Sequence, residues 1–418
     1  MFQAPFAKAI KDDYPEIEKV GRLNSSELFG AGSNEFRRAD QLENFHDEGF
    51  VYADQEFLDL MEIPFVYGNP AHALDEPNTI VITKRKADKY FPGEDPVGKI
   101  VILKGNDAVT YKIGGVISDF PKTSHIQYDF FVTLKDLEFW PGEQTFWGAT
   151  NYPTYIKLAP NADKVELEKK LSSVVKKYLM PHWIASGRAD IKEKEKAIKF
   201  ELQPVQDIHL RSQNIYDTSS RGDIRFVWLF GVVAVFILLL ACINFINLST
   251  AKSANRAKEV GLRKVVGSMR GNIVKQFLTE SLLFSVFSFI LGIAIAAIFL
   301  PYFNQLSNKQ LEFPWQAWWF LPVMVGSSIV VGILAGLYPS FYLSSFRPIQ
   351  VLKGNVSLGS KSSGTRSSLV VFQFTISIVL IIGTFMIYKQ MNFMLNAKLG
   401  YDKEQVILIQ GTNTLGDK

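Results

Sequence analysis

FVWLFGVVAVFILLLACINFINLSTA, residues Phe226–Ala251, contains no charged side chain. A helix rises about 1.5 Å per residue, so roughly 20 apolar residues cross the ~30 Å of bilayer hydrocarbon. This stretch is long enough, and three more resemble it: Ser281–Asn308, Phe313–Phe346 and Ser367–Tyr388. Core helices of water-soluble proteins rarely run so far without a charge, so four membrane spans are expected. The averages conceal this, because mean hydropathy is only +0.08 and 21% of residues are charged. Most of the charge lies before residue 226. A water-exposed half joined to a membrane half produces such a blend.

The connections between spans set the orientation. Lys252, Arg256, Lys258, Arg263, Lys264, Arg270 and Lys275 lie between the first two spans, against one acid, Glu259. Arg347, Lys353, Lys361 and Arg366 lie between the third and fourth, with no acid, whereas the connection between the second and third carries one basic residue, Lys309. Basic connections stay in the cytoplasm. Residues 1–225 are therefore expected outside. Met1–Val20 has no apolar signal-like run and contains Lys8, Lys11, Asp12, Asp13 and Glu16, so a further membrane helix is expected upstream. Val406–Gln410 reads as the first strand of a second outside domain cut short.

Residues 1–225 read as an α+β domain. Phe50–Tyr52, Thr79–Thr83, Lys99–Leu103 and Tyr111–Ile117 are strand-like; Gln55–Met61, Ala87–Phe91 and Ala162–Leu179 are helical. Asp95-Pro-Val-Gly98 and Gly114-Gly115 are turns, and neither opens a phosphate loop. Ser124, His125, Asp119 and Asp129 are close in sequence, but nearness in sequence is not a triad and no GxSxG elbow is present. The five histidines lack ligand spacing, so no metal site is expected. The single cysteine, Cys242, sits in an apolar run as a small packing residue. A net charge of +4 without a nucleic-acid motif argues against nucleic acid as a partner.

Within the spans, Asn244 and Asn247 share a helix face, where they either hydrogen-bond a neighbouring helix or simply sit at the interface. Gly332-Ile-Leu-Ala-Gly336 is a small-xxx-small pattern that permits close helix packing. Glu280, at the start of the second span, is expected to cap a helix or pair with an arginine or lysine. The connection after the first span reads as a short amphipathic cytoplasmic segment punctuated by Gly261 and Gly267. Such a segment, held between two spans, could press on a soluble partner and move both spans. It could equally do no more than fix topology.

Lys258-Glu-Val-Gly-Leu-Arg-Lys-Val-Val-Gly-Ser268 resembles the signature of MacB/FtsX-family ABC transporter permeases, K/R-E-[IV]-G-x-R-[KA]-x-x-G-[AS]. Lys258, Glu259, Gly261, Arg263, Lys264, Gly267 and Ser268 match it, and Arg256 lies one turn before Val260. The resemblance continues in Tyr52–Leu58, Tyr67-Gly-Asn-Pro70, Lys89-Tyr-Phe91, Asp95–Lys99 and Gly115–Pro121, which are similar to the MacB-like periplasmic core domain. Arg366–Gln390 with Leu399-Gly-Tyr-Asp402 is similar to the start of the second half in duplicated permeases.

The resemblance implies a Porter- and Sabre-like domain over 1–225, with an insert at about 75–150. An FtsX-like domain with three spans over 226–346, a cytoplasmic linker over 347–366, a fourth span over 367–388 and a truncated second periplasmic domain over 389–418 would follow. It implies a multi-pass protein of the bacterial inner membrane in which Arg256–Ser268 docks a cytoplasmic ABC ATPase. ATP and magnesium would reside on that partner, leaving this chain without a cofactor or catalytic site. Further implied partners are membrane lipid, a second permease half in a homodimer or pseudo-dimer, and a periplasmic adaptor or outer-membrane protein. The rival expectation is a membrane-anchored sensor or scaffold without transport activity.

Overall fold

The computed structural model describes every residue except 104–108, 122–123, 213–221, 252, 308–309, 346–362 and 398–418. The chain divides into two compact units, one reaching to Ile224 and one beginning at Arg225.

The first unit opens with α1 (Phe6–Asp13), β1 (Ile17–Asn24), β2 (Gly32–Arg38), β3 (Phe45–Ala53), α2 (Gln55–Met61) and β4 (Phe65–Gly68). It continues with β5 (Thr79–Thr83), α3 (Lys84–Tyr90), β6 (Ile100–Leu103), β7 (Thr110–Ile117), β8 (Phe130–Thr133) and β9 (Thr154–Leu158). Helices α4 (Lys164–Val174), α5 (Met180–Ala185), α6 (Ile191–Ala197) and α7 (Ile208–Arg211) complete it. The strand order is β2-β6-β7-β5-β8-β3-β1-β9, with β4 on β7; β2 also pairs with β3 and so closes six strands into a ring. The period-2 geometry of a strand sends alternate side chains to opposite faces. Phe50, Tyr52, Ile80, Ile82, Phe130 and Val132 therefore enter one core, while Val51, Ala53, Val81 and Phe131 enter another. Burial on both faces explains why Thr79–Thr83 reads as an unbroken apolar run.

Two sequence expectations change here. Residues 75–150 do not form a separate insert, because β5–β8 share one sheet with β2 and β3. The seam lies earlier, within β1. Its residues 17–22 pair with β9, whereas Leu23 and Asn24 pair with Ala53 and Tyr52 of β3. A third core, with Phe6, Ile10, Ile17, Leu167 and Leu171, packs α1 and α4 on the β1–β9 side. The helix expected over Ala162–Leu179 begins after Asp163, whose carboxylate accepts the Val165 and Glu166 amides, and turns π-helical over Val175–Leu179. Pro181 follows in the next turn; without an N–H it cannot donate to the carbonyl four residues back, and a wider turn accommodates it.

The second unit consists of α8 (Ile224–Ala251), α9 (Ser253–Val265), α10 (Arg270–Ser307), α11 (Phe320–Ser344) and α12 (Ser363–Asn396). Four of these, α8, α10, α11 and α12, are long and apolar enough to cross a membrane. Their ends depart from expectation. Helix α10 starts eleven residues before Ser281, because Arg270–Glu280 is amphipathic and helical although charged. Helix α11 starts at Phe320 instead of Phe313. Pro314 and a turn through Ala317 precede it, and Phe313, Trp315, Trp319 and Phe320 pack ring on ring. Helix α12 runs eight residues past Tyr388. The expected linker at 347–366 lies almost wholly outside the described residues, as does the strand at 406–410.

Helices α10 and α11 pack through small residues. A Cβ on Gly336 would stand 2.7 Å from the Ser281 Cβ, and one on Gly332 would stand 3.0 Å from Leu282. Where they meet, the Ser285 hydroxyl donates to the Ser328 carbonyl at 2.7 Å. Without side chains in the way, backbones approach closely and gain dispersion contacts that lipid tails cannot match.

Candidate coupling segment

Helix α9 has two faces with different chemistry. Arg256, Val260 and Lys264 recur every four residues and therefore line one side. Val260 is buried with Ile273 and Phe277 of α10 and Leu343 of α11. On one flank of that cluster the Arg256 guanidinium meets Glu280 of α10 in a two-pronged ion pair, Nη1–Oε2 2.7 Å and Nη2–Oε1 2.5 Å. It also lies 5.5 Å above the Phe277 ring. The hydrogen bond with Glu280 raises the Arg256 pKa above its ordinary value. On the other flank Lys264 Nζ donates to the Ser344 carbonyl at 2.6 Å, at the C-terminal end of α11. Arg270 Nε reaches the Ser344 hydroxyl at 3.3 Å. Cations are favoured at a helix C-terminus, where unpaired carbonyls gather. Burial, with Arg270 nearby, lowers the Lys264 pKa.

The opposite side is open. Glu259 and Arg263 form an exposed i,i+4 ion pair at 2.7 Å, and Arg263 also donates to Gln276. Beside them Leu262, Val265, Val266 and Met269 are exposed, Val266 at 81% and Met269 at 77%. Leu262 and Val265 lie one turn apart on α9, and Val266 and Met269 follow on the turn that leads into α10. Reading the segment for its charges passed over these four apolar residues, although they stand in the sequence at 262, 265, 266 and 269.

The two glycines have different roles. Gly261 does not punctuate α9; the helix runs through it, and it is buried. Gly267 does end the helix. Its φ is +100°, its amide donates to the Lys264 carbonyl at 3.1 Å, and the Ser268 amide donates to Arg263 at 2.9 Å. This is the Schellman arrangement, which needs a left-handed residue and so favours glycine. Gly267-Ser268 therefore forms the joint between α9 and α10. The Lys258 side chain lies outside the described residues.

Asn244 is exposed and Asn247 half-buried, and neither makes a hydrogen bond among the described residues. Glu280 pairs with arginine, one of the two partners expected for it. In the first unit Asp119 and Asp129 share Arg85 as a partner, while His125 meets Tyr155. Asp129 accepts from Thr83 and Arg85, Asp119 accepts from the Arg85 amide, and His125 lies 3.3 Å from the Tyr155 hydroxyl. No cluster of three potential metal ligands occurs among the described residues.

An α/β domain joined to long apolar helices, with an amphipathic segment braced between two of them, has the layout of a membrane permease subunit. Residues 2–174 match the MacB-like periplasmic core domain, and residues 231–348 match the FtsX-like permease C-terminal domain. In both domains the chain is similar to the MacB/FtsX-type ABC transporter permeases. It is 25% identical to an uncharacterized ABC transporter permease, YvrN, from Bacillus subtilis, over 83% of this chain and 78% of that one. It is 34% identical to a macrolide export ATP-binding/permease protein MacB from Bdellovibrio bacteriovorus, over 29% of this chain and 18% of that protein. The MacB of Marinobacter nauticus is 23% identical over 69% of this chain and 40% of its own length. The chain thus spans less than half of these MacB relatives. A domain of a putative permease from Porphyromonas gingivalis aligns with 42% of this chain and 77% of its own, at 23% identity and a TM-score of 0.37.

Proposed function

We propose that this chain is a transport subunit of the bacterial inner membrane that couples ATP hydrolysis on a separate cytoplasmic ABC ATPase to a change of shape in its periplasmic domain. In this reading residues 1–225 are periplasmic and α9 is cytoplasmic, as the basic connections require. ATP and magnesium act on the partner, and this chain supplies the lever. A second permease half completes the membrane part, and an adaptor or outer-membrane protein receives the periplasmic movement.

One observation carries the reading: the family's signature segment folds as a helix anchored on its inner side and apolar on its outer side. The exposed apolar group Leu262, Val265, Val266 and Met269, at the end of α9 and on the turn after it, suits docking into an apolar groove, with Glu259 and Arg263 on its border setting register and specificity. The MacB relatives are named as ATP-binding/permease proteins, which supports pairing of this permease part with an ATP-binding subunit.

The test is recovery of the ATPase from native membranes. Wild-type chain is expected to co-purify with a nucleotide-hydrolysing subunit. Val266→Asp with Met269→Asp is expected to lose it while the permease still inserts, and Glu259→Lys with Arg263→Glu is expected to weaken it. Survival of both association and transport in these variants would remove the docking role. A wild-type chain that recovers no ATPase would instead favour the membrane-anchored sensor or scaffold.

A further inference from the structure

From the geometry around α9 we infer that Arg256 and Lys264 are positioning residues that tie this one helix to two different spans. A load on α9 would then reach α10 through Glu280 and α11 through the end of its backbone at Ser344. This rests on the reading of α9 as the docking segment, and it adds which contacts carry the movement onward.

Eight residues separate the two attachments, a distance of about 12 Å along the helix. A single attachment would leave α9 free to pivot. The apolar cluster between them, Val260 with Ile273, Phe277 and Leu343, adds little restraint because apolar contact is non-directional. The two polar contacts supply direction. A guanidinium set against a carboxylate with two parallel bonds fixes orientation as well as distance. The ammonium of Lys264 holds a backbone carbonyl, so its grip on α11 is independent of the side chain at 344. The hydrogen bond from Arg263 to Gln276 of α10 braces the turn at Gly267. Helix α9 is therefore attached to α10 by a covalent joint and two side-chain braces, but to α11 chiefly by Lys264 at its far end. The attachments are separable: loss of Glu280 should free α10 from α9, and loss of the Lys264 ammonium should free α11.

Two measurements on the full chain in lipid nanodiscs test this. In a Cys242→Ser background, spin labels at position 259 paired with 291 on α10 or 330 on α11 report how tightly α9 is held, with no ATPase needed. The unsubstituted clamp is expected to give narrow distance distributions for both pairs. Glu280→Arg is expected to broaden the 259–291 distribution, Lys264→Met the 259–330 distribution, and Arg256→Glu with Glu280→Arg should restore the first. The second measurement is permease-stimulated ATP hydrolysis by the co-purified ATPase. Each single variant should lower it about fivefold, the factor that ~1 kcal/mol of lost coupling corresponds to, with the amount of ATPase recovered unchanged and the charge swap restoring it. Unchanged distributions in both single variants, or full stimulation despite them, would overturn the inference. If the wild-type chain recovers no ATPase, the docking reading fails, while the label distances still decide whether the clamp exists.

Discussion

The two units of this chain are built inside out with respect to each other. The largest fully buried side chains of the first are Tyr152, Phe36, Phe50, Phe57, Phe91, Phe130 and Phe131. The buried positions of α11 in the second are Ser328, Gly332, Ala335, Gly336, Pro339, Ser340, Leu343 and Ser344, nearly all small, while its large apolar residues point outward. Water rewards the removal of apolar area, so a water-facing unit gathers its aromatic residues within. Lipid gives no such reward. Helices there associate by close fit and by polar contacts such as Ser285 with Ser328, so small residues hold the interior. The same substitution, large to small, should therefore be costly in the first region and nearly neutral in the second.

The largest effect is expected at Phe130, fully buried and stacked on Phe50 with ring centroids 4.1 Å apart. Phe130→Ala should cost about 3–5 kcal/mol, read by denaturant unfolding of the first unit. Next comes acid. Asp47 is buried in the first unit; burial alone would raise its pKa, but hydrogen bonds from Lys86, Tyr90, Lys89 and the Glu48 amide outweigh that and pull it down to about 2. A carboxylate whose folded pKa lies below its unfolded value stabilises the fold above the unfolded pKa, and the contribution disappears as pH falls from about 4 through about 2. Its loss should be worth about 2 kcal/mol, and Asp47→Asn should flatten the stability curve over that window.

In the second unit the direction reverses. Gly336→Val, which adds atoms to the α10–α11 contact, should destabilise by about 1–3 kcal/mol in a steric-trap or thermal assay in bilayers. The smallest change belongs to Leu334, 61% exposed on the outer side of the same helix. Leu334→Ala should stay within ~0.5 kcal/mol. If Leu334→Ala proved as costly as Phe130→Ala, the contrast between the units would be false.

How much of this was readable from residues follows the same division. The spans announce themselves by apolar length, a signal needing no tertiary context, and Gln55–Met61 and Thr79–Thr83 coincide with α2 and β5. The ends were harder. Arg270–Glu280 looks like loop by charge yet is helix, because its apolar Ile273 and Phe277 find Val260 and Leu343. The placing of the insert failed because strand pairing across distant residues leaves no local mark; nothing in β2 announces that it will join β6. The signature segment was recognisable as a string, but the division of labour within it was not. The inward row needs the positions of Glu280 and Ser344, which lie 24 and 80 residues from their partners.

The ring of strands also dictates an order of events during synthesis. Phe36 of β2 pairs with Leu103 of β6, and Phe50 of β3 pairs with Phe130 of β8. Until residue 103 has emerged from the ribosome β2 lacks β6, and until residue 133 has emerged β3 lacks β8, so Phe36, Phe50 and Val51 stay incompletely covered. Pairings between residues so far apart form late and slowly. A nascent chain stalled within that window carries unpaired strands and bare aromatic rings, the combination that invites aggregation. The interval between residues 53 and 133 is thus the stretch of synthesis in which this protein most needs a chaperone.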